Sequence, residues 1–284
     1  QSLTLPAGTY EVSVRVASIS GTPAAALAVG NTSFGDTTYT NFSMLSAGVY
    51  TRKVTITGPT LGLAFTAANV AGGTIVIDDV SVKLLPGNHA SQTTSASRPT
   101  LQQDSNGLYY LSFDGTDDGM ATPSINFTGT DKMTVWAGVR KLSDAAIGVV
   151  CELSASLTSN AGTFFLAAPQ GVGAAAYAFA SRGSIAVTNI TAGATAPDTS
   201  VIVGVGDISG DIELIRRNGA QAGVSTADQG TGNYGNYPLY IGRRNNASLP
   251  FNGRIYQLII RGAASNAGQI AATEAWMNGK TRAF

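Results

Sequence analysis

The 284-residue chain balances 17 basic against 17 acidic residues, and its charged fraction of 12% falls well below the ~25% of an ordinary globular protein. Zero net charge provides no field to draw in nucleic acid or an anionic membrane, the single cysteine (Cys151) excludes an internal disulfide, and no apolar run reaches the ~20 residues that span a bilayer. With 34 glycines and polar positions filled by Thr, Ser, Asn and Ala, the composition suits strands and turns, and the length provides for two domains.

From the N-terminus, Tyr10, Val12, Val14 and Val16 alternate with Glu11, Ser13 and Arg15, the period of a strand with one buried face. Further strands are predicted over 24–29, 49–57, 61–66 and 74–83, divided by clusters of Gly, Pro, Asn and Asp. The order LPAGTYEVSVRV, GVYTRKVTITG, TIVIDDVSVKLL resembles the jelly rolls of carbohydrate-binding modules, which implies a β-sandwich domain over residues 1–85. Such modules carry extra strand ahead of the equivalent of Leu3, and the chain starts at Gln1 without methionine. A processed chain or a piece of a longer polypeptide is therefore expected, with an N-terminally incomplete sandwich whose sheet edge needs cover. Asp78 and Asp79 interrupt the last of these strands. Calcium is one reading; a turn cap beside a solvated carboxylate is the favoured one, since no third carboxylate is near in sequence and calcium takes ~6–8 oxygens.

A polar connector containing Pro86 and Pro99 follows, then a turn at Asp104-Ser105-Asn106-Gly107, the strand LYYLSF, and a second turn at Asp114-Gly115. The blocks GNHASQTTSASRPTL and YYLSFDGTDDGM, with YPLYIGRRNNASLPFNGRIYQLIIRG near the other end, resemble concanavalin A-like (laminin-G-like) lectin/glucanase domains of bacteriophage structural proteins and bacterial surface proteins. The resemblance covers residues 86–284 and implies a second β-sandwich there. The expected fold class is all-β: two tandem jelly-roll sandwiches, the second with one short C-terminal helix.

Within this second domain, strands are predicted at 132–140, 147–153, 163–168, 174–180, 185–188, 200–206, 211–217, 238–243 and 254–262. Ser209-Gly210 and Asn218-Gly219 mark hairpin turns. From Ser265 to Gly279 a helix is predicted, with a serine or asparagine N-cap and an Asn-Gly stop. Ile270, Trp276 and Met277 are expected to pack it onto the sandwich, and Trp136 to lie in the core; a sugar platform is the alternative for either tryptophan.

Hydrolysis of a glycosidic bond needs two carboxyl groups flanking it. The glucanases that the domain resembles carry Glu-x-Asp-x-Glu on one strand, whereas here Glu11, Glu152, Glu213 and Glu274 are scattered. Asp211-Ile212-Glu213 comes nearest, and Asp211 is predicted to belong to a turn. The sole histidine, His89, sits in the connector, leaving a catalytic triad or His-rich metal centre without support. No enzyme activity and no cofactor are expected. The densest acidic cluster, Asp114, Asp117 and Asp118, offers calcium as one reading and amide-binding turn carboxylates as the other.

Sugars are held by aromatic faces and by fans of amide, carboxylate and guanidinium hydrogen bonds. GTGNYGNYPLYIGRRNN concentrates those groups, so Asn233, Tyr234, Asn236, Tyr237, Arg243, Arg244 and Asn245 form the candidate carbohydrate site, with a protein interface as the equal alternative. The resemblance implies a non-enzymatic virion structural protein, whether decoration, fibre or tail-associated, at the virion surface or outside the cell. Its expected partners are other virion proteins and host-surface glycans, in a homo-oligomer or multicopy assembly, with neither nucleic acid nor membrane. The alternatives are a secreted or cell-surface glycan hydrolase or its accessory carbohydrate-binding module, and a purely architectural virion protein without ligand.

Overall fold

The computed structural model describes residues 2–5, 8–20, 25–30, 40–44, 46–56, 60–67, 73–85, 87–185 and 190–284. The chain divides into two compact units, Gln1–Gly87 and Asn88–Phe284. The first holds β1 (Ser2–Thr4), β2 (Gly8–Ser20), β3 (Ala25–Gly30), β4 (Thr40–Met44), β5 (Gly48–Ile56), β6 (Thr60–Ala67) and β7 (Thr74–Leu84). Antiparallel pairing orders them β1-β6-β3-β4 and β5-β2-β7. The alternation in β2 has the expected consequence: Tyr10, Val12, Val14 and Val16 are buried, with Leu5, Val54, Ile77 and Val82 packed against them.

At Arg15 the β2–β7 register shifts and Asp79 adopts a left-handed φ of 49°. A bulge turns consecutive side chains to one side of a strand, so a single guanidinium reaches both carboxylates. Arg15 Nη2 lies 2.6 Å from Asp78 Oδ2 and Nε 2.7 Å from Asp79 Oδ2. The expected capping and water-facing carboxylates are both present, since Asp78 Oδ1 accepts the Asp79 amide at 2.9 Å and the Asp79 side chain is 70% exposed; the fold adds the ion pairs of both with Arg15.

The second unit contains β8 (Thr100–Gln103), β9 (Tyr109–Asp114), β10 (Met120–Ala121), β11 (Ile125–Asn126) and β12 (Lys132–Lys141). It continues through β13 (Val149–Leu153), β14 (Thr163–Ala167), β15 (Ala176–Arg182), β16 (Ile190–Gly193) and β17 (Asp198–Asp207). The last strands are β18 (Ile212–Arg217), β19 (Ala220–Ser225), β20 (Asn236–Tyr237), β21 (Leu239–Ile241) and β22 (Asn252–Arg261), before α1 (Ala267–Thr281). They build a seven-stranded sheet, β19-β18-β17-β12-β22-β9-β8, and a six-stranded one, β10-β21-β13-β14-β15-β16. Met133, Val135, Ala137 and Val139 of one sheet pack on Phe164, Leu166 and Phe179 of the other. Cys151 fills this core, where burial, and then the neighbouring Glu152, push its thiol above its ordinary range.

Several strands read as unbroken apolar runs because both their faces are covered. On the outside of the seven-stranded sheet Trp136, Val201 and Val203 lie under Met277 of α1, and on the outside of the six-stranded sheet Phe165, Ala167, Ala178 and Ala180 lie under Leu157. β19, whose AQAGVS sequence carries little strand signal, forms because Asn218 and Gly219, at φ 51° and 80°, fold the chain straight back onto β18. The strand expected over 185–188 falls on residues that, after Ile185, lie outside those described.

Asn266 caps α1 in a reciprocal box with Gln269. The expected Asn-Gly stop is not used. The helix runs through Gly279 to Thr281 and turns at Arg282 (φ 51°), while the Asn278 amide clasps both the N–H and the carbonyl of Phe284. Ile270, Glu274, Met277 and Thr281 form the inward stripe, and Arg216 of β18 grips Glu274 at 3.0 and 3.1 Å. Trp276, expected to pack inward, sits one residue from Met277, about 100° around the helix, and is half exposed. Among the described residues no helix is long and apolar enough to cross a membrane.

Gly138 of β12 lets the helix end seat on the sheet, since a Cβ there would come within 2.6 Å of Thr281 Cγ2. Gly138→Val is expected to lift this end at a cost of about 1–3 kcal/mol. Hydrogen exchange should show protection lost over α1 with the sandwich strands intact.

Candidate functional site

The rim following β9 is built by the turn Asp114–Gly119. Asp114 Oδ1 accepts the amides of Thr116 (2.8 Å) and Asp117 (3.3 Å), and Asp118 Oδ2 accepts the Asp114 amide (3.0 Å). The connector is stapled to this turn: Ser97 Oγ donates to Asp117 Oδ2 (2.7 Å), Gln92 Nε2 donates to the Gly119 carbonyl (2.8 Å), and Ser91 bridges Ala121. Burial works against ionising Asp114, but the amides of Thr116, Asp117 and Asp118 outweigh it and hold this carboxyl below its ordinary range. Asp118 is pushed the other way, first by burial and then by the charges of Asp114 and Asp117.

Against this turn lies the hairpin Arg243–Ser248, closed by the Arg244–Ser248 bridge. Asn245 and Asn246 both adopt φ 50°, a left-handed conformation that asparagine tolerates better than most residues. Arg243 joins the two loops, donating to the carbonyls of Asp117 (3.2 Å) and Ala247 (2.9 Å). Gly119 is required between them, because a Cβ there would sit 2.9 Å from Asn246 Oδ1 and 3.0 Å from Arg243 Cβ.

The predicted carbohydrate residues therefore do not form one site. Asn233, Tyr234, Asn236 and Tyr237 precede β21, and Arg243, Arg244 and Asn245 follow it, so the two groups lie beyond opposite ends of that strand. In the first group Tyr234 is corrected outright: it is 1% exposed, its hydroxyl 2.6 Å from Ser181 Oγ, and no sugar reaches its ring. The Asn233 amide is spent on the Thr128 carbonyl (2.6 Å) and the Tyr237 hydroxyl on that of Ala161 (3.2 Å), while Asn236 is exposed. In the second group Arg244 is also corrected. Its Nε lies 2.7 Å from Glu152 Oε2 and its guanidinium 5.4 Å from the Phe165 ring, so it buries a carboxylate instead of facing a ligand. Arg243 and Asn245 remain at the rim, and there the fold unites them with Asp114, Asp117 and Asp118.

The three aspartates bring one carboxylate oxygen each within 4.8 Å of one another. Three such ligands fall short of the ~6–8 oxygens calcium takes, and the bonds to Thr116, Asp117, Asp114 and Ser97 account for the cluster as a turn. The acidic pair considered for hydrolysis is dispersed. Asp211 is left-handed (φ 51°) with Oδ1 on the Gln229 amide, whereas Glu213 turns inward, accepts the Ser181 amide and is 1% exposed. Glu152, fully buried, takes the Leu157 amide at 2.6 Å. His89 is exposed. Sequence reasoning missed the Ser97 and Gln92 staples, and it favoured the core for Trp276, which is half exposed as the sugar-platform alternative would need.

The fold of the second unit is that of a lectin-like β-sandwich. The chain belongs to the concanavalin A-like lectin/glucanases superfamily, whose model matches residues 114–271. No curated protein matches it. Among solved structures it is similar to the native heptameric SAP-like pentraxin from Limulus polyphemus, at 12% identity over 57% of this chain and 80% of that one, with a TM-score of 0.43. It is likewise similar to the Ruminococcus gnavus IT-sialidase CBM40 bound to alpha2,3 sialyllactose, at 13% identity over 51% and 83% of the two chains and a TM-score of 0.40. The binding domain of botulinum neurotoxin serotype G is similar at 12% identity over 69% of this chain, which spans 49% of that structure, with a TM-score of 0.49.

Proposed function

We propose that the chain is a non-catalytic, glycan-binding structural protein of a bacteriophage virion: a decoration, fibre or tail-associated component displayed at the virion surface in many copies, among other virion proteins. The observation that carries the glycan reading is the rim where the Asp114–Gly119 turn meets the Arg243–Ser248 hairpin, with carboxylate and amide groups on one edge that Arg243 ties together through the carbonyls of Asp117 and Ala247. Groups of this kind orient hydroxyl-rich ligands through hydrogen bonds and need no net charge. The bacteriophage setting is supported by the sequence blocks quoted above and by the cysteine-poor, neutral composition of a multicopy external protein.

A glycan array of bacterial surface polysaccharides tests the reading. Binding is expected that changes little with added salt and drops about tenfold in Asn245→Gly, where glycine keeps the left-handed backbone but removes the amide, and in Asp117→Asn. A blank array from protein that still co-purifies with assembled particles would replace this reading with a purely architectural one. Release of reducing sugar would replace it with a hydrolase.

A further inference from the structure

The exposed face of α1 is made largely of small residues, Ala267, Gly268, Ala271, Ala272, Ala275 and Gly279, with Gln269 and Lys280 toward its ends, and one large apolar side chain rises from it: Trp276, 50% exposed. Helical side chains lean toward the N-terminus, so the indole lies over Ala272 and Thr273. With Ile259 of β22 these residues line a cleft of about 270 Å³. Lys280, one turn further along, places its ammonium 5.7 Å from the indole centroid. The ammonium covers one face of the indole, and Trp276 is among the residues that line the cleft.

We infer that this cleft is a second carbohydrate subsite, remote in sequence from the rim, in which the free face of Trp276 stacks on a pyranose ring. Ile259 supplies the floor, and Thr273 offers a hydrogen bond to a ring hydroxyl. The inference rests on the glycan reading above and names a place for it that the rim residues do not include. The occupant follows from size and charge. Four lining residues are too few to seat a helix or a strand, but they suit one ring whose C–H faces match an aromatic plane. One lysine on a chain of zero net charge is no footprint for a polynucleotide. The one carboxylate of α1, Glu274, points inward to Arg216, so nothing draws in a cationic ligand.

The chain holds two tryptophans, and the other, Trp136, is 3% exposed, so ligand-induced changes in emission at the surface report Trp276. The intact protein is titrated with maltohexaose, cellohexaose and chitohexaose, each followed by fluorescence and by calorimetry. Saturable quenching and protection from acrylamide are expected with at least one of them. Trp276→Ala should lower the calorimetric affinity at least tenfold while the far-ultraviolet spectrum keeps its shape, and Asn245→Gly should leave the quenching in place. A sugar that binds by calorimetry without altering emission, or with equal affinity for Trp276→Ala, overturns the subsite and leaves the rim reading standing. If none of the three gives heat or quenching, the subsite falls, and the array alone decides the rim reading.

Discussion

A Glu213→Gln variant is expected to unfold at clearly higher urea than the wild type at pH 8, and at nearly the same urea at pH 4.5. Glu213 projects from β18 into the protein, where Oε1 accepts the Ser181 amide and Oε2 has no partner. Ser181 also holds Tyr234, the anchor of the loop before β20, through its hydroxyl. Asp131 and Asp207, which face the same Tyr234, are answered by Lys132, 2.6 Å from Asp207; among the described residues no cation answers Glu213. Burial therefore pushes its carboxyl from 4.5 up to about 7. Because the folded-state value is raised, its stabilising contribution is complete below 4.5 and is lost as the pH rises to about 7. A shift of that size is worth on the order of 3 kcal/mol. Both tryptophans lie in the second unit, so their fluorescence follows the transition. Parallel stability curves for variant and wild type from pH 4.5 to 8 would show that Glu213 titrates normally and that its environment is wetter than its burial implies.

Arg244→Ala is expected to destabilise the second unit by about 3–5 kcal/mol, the cost of leaving a buried carboxylate unanswered. Glu152 is fully buried beside β14 and depends on two donors, Arg244 Nε at 2.7 Å and the Leu157 amide at 2.6 Å. Burial already pushes its carboxyl upward, and Arg244 pulls it back. Glu152→Gln combined with Arg244→Ala should recover much of the loss, since the orphaned charge is gone. Urea melts of the two single variants and the double variant measure this coupling. An Arg244→Ala protein as stable as the wild type would return Arg244 to the group of residues available to a ligand.

These two residues mark where the sequence stops being legible. Glu152 and Glu213 stand out as carboxylates in strands, but their partners lie 92 and 32 positions away. In GTGNYGNYPLYIGRRNN, chemistry that suits a sugar is spread along one stretch, whereas burial takes Tyr234, an ion pair takes Arg244, and β21 separates what remains into two rims. Trp276 errs in the opposite direction. An aromatic in a helix is core more often than not, and only the positions of Met277 and Glu274 against the sheet show that the indole points away.

What the sequence determined by itself was local. Alternation at 10–16 made a one-sided strand, Asn218-Gly219 made a hairpin, and Asn266 with Gln269 made a helix start, because period and cap chemistry act over a few residues. Which polar side chains face water, which pair across the sandwich, and which loops meet at a rim were decided only by tertiary packing. Those choices depend on sheet order and on contacts between residues far apart in the chain, and near-neighbour pattern does not encode them.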